Sequence, residues 1–206
     1  MKVIALLSQK GGAGKTTLAI HLAVEAEQRN VPTVLIDLDP QASATSWGDS
    51  RKADGPAVVS AQATRLASIL EVAAQNGAKL AVIDTAPHSE QTALAAARAA
   101  DLIVIPCRPA ILDLRAVRTT VDLAKLAGKK AVAILNASPV RGSLTQEATQ
   151  ALEEYELDVA PAGLGQRAAF MHALTLGQAA QEYEPKGKAA EEIRHVYKWT
   201  CKHVGL

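Results

Sequence analysis

The chain has 206 residues, 49% of them apolar and 21% charged, with 22 Lys and Arg against 21 Asp and Glu for a formal charge of +1. That length gives one well-buried core and too little chain for two comfortable ones, so a single domain over residues 1–206 is expected. The even balance excludes a global basic field of the kind that draws nucleic acid, and Cys107 and Cys201, far apart and with no C-x-x-C pairing, argue against a disulfide framework or a cysteine-rich metal site.

Strand and helix signals alternate along the chain. Short aliphatic or β-branched runs predict strands at residues 3–7, 33–36, 57–60, 80–83, 102–105 and 131–135, with a weaker candidate at 157–160. Helix-like stretches fall between them at 15–29, 61–75, 89–99, 112–127 and 143–155, and two more follow at 168–176 and 189–204. The polar segment 48–56 reads as a surface loop. Strands alternating with helices of this length predict an α/β fold, a mostly parallel twisted sheet with helices on both faces. No stretch reaches the ~20 apolar residues of a membrane span, and the first apolar run has no cleavage region after it, so a cytoplasmic location is expected.

The first strand leads straight into Ser8-Gln9-Lys10-Gly11-Gly12-Ala13-Gly14-Lys15-Thr16-Thr17. A strand, a glycine loop ending in Lys-Thr and then a helix is the context of a phosphate-binding loop, although Gln9 stands where G-x-x-x-x-G-K-[ST] has its first glycine. In that reading the N–H groups of Gly11, Gly12, Ala13, Gly14, Lys15, Thr16 and Thr17 face phosphate, aided by the positive end of the helix. Lys15 reaches the outer phosphates and the Thr16 hydroxyl ligates Mg²⁺. The bland alternative is a tight strand-to-helix turn.

The string Lys10-Gly-Gly-Ala-Gly-Lys-Thr resembles the deviant Walker A motif, K-G-G-x-G-K-[ST], of the ParA/MinD group of P-loop ATPases. The resemblance implies ATP and Mg²⁺ as ligands and a sandwich homodimer in the ATP-bound state. It also implies that Lys10 is a catalytic lysine reaching the nucleotide held by the partner subunit. Added phosphate affinity within its own subunit is the other reading of Lys10.

Two further acidic segments follow in order. Asp37-Leu38-Asp39-Pro40-Gln41 places two carboxylates two residues apart at the end of the second strand, and it resembles the D-x-D-P-Q segment of ParA proteins. By that resemblance Asp39 activates the attacking water and Asp37 sits near the magnesium shell. The run Leu80-Ala81-Val82-Ile83-Asp84 ends an apolar strand in an acid, as a Walker B strand does, so Asp84 is the expected magnesium anchor, acting through water. His88 reads as a surface or capping histidine and Cys107 as a small buried residue. Residues 105–113 resemble the proline-containing segment near the nucleotide-dependent dimer contact, and the prolines also suit rigid loop punctuation. Asn136 and residues 160–165 are the candidates for the base, and the absence of N-K-x-D favours ATP over GTP by resemblance.

The back half bears on cargo. Arg167 before a helix matches the arginine that ParA proteins place near their DNA-facing surface. From residue 186 onward Lys186, Lys188, Arg194, Lys198 and Lys202 outnumber Glu191 and Glu192 by three charges. Arg167, Lys186, Lys188, Lys198 and Lys202 are therefore the candidate contacts to non-specific DNA. No C-x-x-C pair supports an iron–sulfur role. The chain starts directly at the first strand, so it resembles the ParA type without a leading helix-turn-helix. The expectation is a slow, nucleoid-associated partition ATPase, stimulated by a ParB-like centromere-binding partner. The alternative is a MinD-like or other positioning ATPase acting on a membrane or a protein assembly, with the membrane disfavoured because acids in the last helix oppose anionic lipid.

Overall fold

The computed structural model describes residues 1–139 and 141–206. Its strands are β1 (Lys2–Leu6), β2 (Thr33–Asp37), β3 (Ala57–Ser60), β4 (Leu80–Asp84), β5 (Leu102–Cys107), β6 (Ala131–Leu135) and β7 (Asp158–Val159). Its helices are α1 (Lys15–Gln28), α2 (Ser43–Ser50), α3 (Leu66–Gln75), α4 (Glu90–Ala99), α5 (Ile111–Ala127), α6 (Leu144–Glu153), α7 (Ala168–Thr175), α8 (Ala180–Tyr183) and α9 (Lys188–Val204). The strands form one parallel sheet in the order β3-β2-β4-β1-β5-β6-β7.

Side chains alternate across a strand, so each aliphatic run supplies both faces of a covered sheet. Ile4, Leu6, Leu35, Val82, Val104 and Ile134 meet Leu18 and Leu22 of α1, Phe170 of α7 and Ile193 and Val196 of α9 on one face. Val3, Ala5, Ile36, Ile83, Ile103 and Ile105 meet Leu66 of α3, Ala96 of α4, Val117 of α5 and Leu152 of α6 on the other. Each fully buried Leu or Ile contributes roughly 1.5–3 kcal/mol, so two such layers support a chain of this length.

The structure differs from the sequence expectation in four places. β2, β4 and β5 run past their predicted ends and carry Asp37, Asp84 and Cys107 inside the ladder. The predicted helix 61–75 breaks into a 3₁₀ turn at Ala63–Arg65 followed by α3. The expected loop at 48–56 instead begins with the end of α2, a Ser- and Gly-containing segment with weak local helix preference. Tertiary anchors override that preference: Trp47 is buried and donates its indole N–H to the Gln178 carbonyl at 3.2 Å. Arg51 also makes paired bonds of 2.6 and 2.8 Å to Glu182. Finally, the short helix α8 was not expected.

Helix α9 settles the fate of its apolar stripe. Ile193, Val196, Tyr197, Cys201 and Val204 are buried in the core against α1 and β1, so that stripe is not free to enter a lipid interface. Among the described residues no helix is long and apolar enough to cross a membrane.

A buried histidine lies on α1 beside Phe170. His21 is fully buried on α1, and its Nδ1–H donates to the Thr17 carbonyl at 2.6 Å. Burial pushes its pKa down to about 4, although the Thr17 carbonyl and Glu182 pull it upward. Between the ordinary histidine value of 6.5 and about 4 the unfolded chain holds a proton that the folded ring refuses. Stability therefore falls as pH drops through that window, by about 3 kcal/mol for this ring alone. Urea midpoints measured from pH 7 to 4 are expected to show that loss, and His21→Leu is expected to flatten the slope. An unchanged slope in the variant would remove His21 from the acid response.

Candidate nucleotide-binding site

The C-terminal ends of β1, β2, β4, β5 and β6 open on one cavity of about 790 Å³, the size of a small-ligand site. β1 lies between β4 and β5, where successive connections run to opposite sides of the sheet, which is where open α/β sheets hold ligands. The loop from β1 to α1 forms the floor. Gly12 and Gly14 adopt left-handed φ of 72° and 96°, and a Cβ on Gly14 would run into the Asn136 side-chain amide. Gly14 caps α1 without any side-chain bond, so the first N–H groups of the helix remain free for an anion.

Lys15 and Thr16 line this cavity with Asp39. Lys15 is only 6% exposed, and burial lowers its pKa while Asp84 and Asp39 pull the other way. Asp84 ends β4 opposite Asp37 in register, and both are fully buried. Neither oxygen of Asp84 finds a hydrogen-bond partner among the described residues. Burial pushes its pKa up to about 7; the Thr16 hydroxyl and Lys15 oppose the rise, and Asp37 and Asp39 reinforce it.

A buried carboxylate with two orphaned oxygens beside a threonine hydroxyl fits a hard divalent cation. Among the described residues no cluster of three His, Cys, Asp or Glu could hold a metal. Magnesium binds through one or two protein oxygens, waters and phosphate. In this site Thr16 and Asp84 would hold it.

Asp37 is engaged otherwise. Its carboxylate accepts the Asp39 N–H at 3.0 Å, the Thr45 N–H at 2.9 Å and the Thr45 hydroxyl at 3.0 Å. It thereby fixes the turn that carries Asp39 and supports the first turn of α2. Asp39 accepts the Gln41 N–H on one oxygen at 2.9 Å and faces the cavity, half-buried.

The remaining candidates separate. Asn136 lines the cavity, yet its amide donates to the Ala13 carbonyl at 2.8 Å and accepts the Ala137 N–H at 2.8 Å, so it braces the loop from beneath. Of residues 160–165, Gly165 reaches the cavity wall, with Gln166 beyond it. Lys10 is half-buried at the loop's shoulder, and the cavity walls do not include it. Arg167 reaches the cavity but is tied to Glu192 by bonds of 2.6 to 3.0 Å. Lys188 pairs with Glu191 at 2.7 Å at the surface. Lys186, Lys198 and Lys202 are exposed without an ion pair among the described residues.

His88 is exposed at a left-handed φ of 57° just after the Asp84 strand. Burial pushes the Cys107 thiol up to about 12, which makes it inert. Sequence reasoning did not single out Arg108, whose guanidinium lies over Gly12 in the same cavity. The signal was a lone cation directly after a strand on the ligand edge.

The fold agrees with that of known proteins. The CobQ/CobB/MinD/ParA nucleotide binding domain matches residues 4–182. Maintenance of carboxysome distribution protein A of Gloeobacter kilaueensis is 42% identical over 134 residues, covering 61% of this chain and 57% of that protein. Its namesake in Halothiobacillus neapolitanus is 28% identical over 203 residues, covering 94% and 93%. Protein ParA of Rhizobium radiobacter is 33% identical over 115 residues, 55% of this chain and 51% of its own length. Among solved structures, the cell division ATPase MinD of Pyrococcus furiosus superposes with a TM-score of 0.78 at 20% identity, covering 98% of each chain. A Cyanothece McdA–ATP complex does so at 0.74 and 16%, covering 100% of this chain and 97% of that one. With the family match running from β1 into α8 and the glycine loop, Lys15, Thr16 and Asp39 around one cavity, the chain belongs to the CobQ/CobB/MinD/ParA family of nucleotide-binding domains.

Proposed function

We propose that the protein is an ATP-driven positioning ATPase: two ATP-bound copies close face to face, bind DNA without reading sequence, and separate after hydrolysis. The observation that carries this reading is the cavity itself, where Lys15, Thr16 and Asp39 line the walls at the free end of α1, with Asp84 buried close to Lys15, while Lys10 stays outside the walls. Lys15 would neutralise the outer phosphates, and Thr16 and Asp84 would hold Mg²⁺, whose charge would stabilise the transferred phosphoryl group. Asp39 orients the attacking water with the oxygen that Gln41 leaves free. Asp37 keeps that turn in place. Lys10 completes the site of the partner, so nucleotide and dimer form one equilibrium.

DNA contact rests on the exposed lysines of the last segment, Lys186, Lys198 and Lys202. Arg167 and Lys188 contribute less, because each already faces a carboxylate. Dimerisation doubles these contacts. A ParB-like partner would stimulate hydrolysis and couple turnover to movement, giving a nucleoid-associated protein. Partition of DNA is one cargo; a protein assembly is the second, favoured by relatives whose names concern carboxysome distribution.

The test is binding to random-sequence duplex DNA with ADP and with a slowly hydrolysed ATP analogue plus Mg²⁺, across a salt series. Three lysines per copy predict a slope of log affinity against log salt of roughly −5 for the dimer, in the ATP-like state alone. Absence of DNA binding in both states would refute the DNA-tracking reading and leave the nucleotide switch intact.

A further inference from the structure

We propose that Arg108 is a phosphate-binding residue supplied by the same chain, set over the glycine loop to hold the outer phosphates of the nucleotide. The inference rests on the nucleotide reading of the cavity and adds a contact that the motif does not contain.

Position comes first. β5 ends at Cys107 on the ligand edge, between β1 with its loop and β6 with Asn136. The backbone there is tied down: the Asn136 N–H donates to the Cys107 carbonyl at 2.7 Å, and the Arg108 carbonyl accepts the Ala110 N–H at 2.8 Å and the Cys107 thiol at 3.2 Å. Pro106 and Pro109 flank this turn and fix its φ angles. The guanidinium therefore starts from a rigid base and reaches over the loop. A Cβ on Gly12 would stand 3.2 Å from Arg108 Nη2, so glycine there provides room for the arginine as well as the left-handed turn.

Charge comes second. Three cations line the cavity: Lys15, Arg108 and Arg167. Lys15 faces Asp84 and Asp39, and Arg167 is bound to Glu192 at 2.6 Å. Arg108 has no ion pair among the described residues, and it is exposed. A nucleotide triphosphate brings several negative charges to a wall whose other cations already face acids. The planar guanidinium fork can take two phosphate oxygens at once, which an ammonium group cannot. Set above Gly12, beside the free N–H groups of the loop, it meets the outer phosphates rather than the base. ATP therefore gains more from it than ADP does.

The experiment titrates fluorescent ADP and a fluorescent, slowly hydrolysed ATP analogue, each with Mg²⁺, into wild type, R108A, R108K and K15A at several protein concentrations. R108A is expected to bind the ATP analogue at least tenfold more weakly and ADP no more than about threefold more weakly, with R108K between, independently of protein concentration. Because Arg108 is exposed, the ligand-free thermal midpoint is expected to stay within a few degrees of wild type. Unchanged affinity of R108A for the ATP analogue, or a loss confined to concentrations at which dimers form, would overturn the assignment of Arg108 to its own chain's phosphates. Wild type failing to bind either nucleotide would instead overturn the nucleotide reading, and this proposal with it. Wild type binding, K15A failing and R108A matching wild type would sink Arg108 alone.

Discussion

Replacing Lys15 with alanine is expected to weaken ATP binding by at least about a hundredfold. Lys15 is the buried cation at the first position of α1, and its burial already disfavours the charge that Asp84 and Asp39 support. A charge-assisted bond to phosphate in a desolvated site is worth about 1.5–3 kcal/mol, and losing it leaves both acids facing phosphate with no cation between them. The backbone cradle survives, because Gly12, Gly14 and the Asn136 brace do not depend on the lysine side chain. Equilibrium titration with labelled ATP measures the effect. Wild-type affinity in Lys15→Ala would remove the loop from the binding site.

Replacing Asp39 with alanine is expected to leave ATP bound while hydrolysis falls about 100- to 10,000-fold, the range for loss of a positioned acid–base group. Its side chain lies on the cavity wall, with one oxygen accepting the Gln41 N–H and the other without a hydrogen bond among the described residues. Asp39→Asn keeps that bond and loses only the carboxylate, so it separates turn geometry from chemistry. Both variants are expected to accumulate as ATP-bound dimers. Single-turnover hydrolysis provides the readout, and an unchanged rate in either variant would exclude Asp39 from orienting the water.

The chain's local patterns carried most of this frame. Val3, Leu35, Val82 and Ile103 sit in runs too apolar for anything but a sheet covered on both faces, and Gly12, Gly14, Lys15 and Thr16 lie consecutively where a strand meets a helix. Asp84 could be read because the strand delivers it to the ligand edge. What escaped depends on partners distant in sequence. α2 forms because Asp37 receives Thr45 and because Trp47 and Arg51 reach Gln178 and Glu182, and no local preference announces those contacts. Arg167 reads as a free DNA-facing cation until Glu192, 25 residues on, closes on it. Asp37 reads from sequence as a second magnesium acid, and its bonds to the Asp39 and Thr45 groups, which hold the turn, could not be read there. Asn136 falls in the right place, but its amide serves the loop.

The proposed nucleotide-gated dimer is completed by Lys10, which is half-buried beside the glycine loop and outside its own cavity. The most direct measurement is sedimentation velocity of wild type and Lys10→Ala with ADP and with a slowly hydrolysed ATP analogue plus Mg²⁺. Dimers are expected only for wild type in the ATP-like state, with Lys10→Ala monomeric and still nucleotide-bound. A wild type that stays monomeric with the analogue, or a Lys10→Ala variant that dimerises as wild type does, would contradict a dimer completed by Lys10.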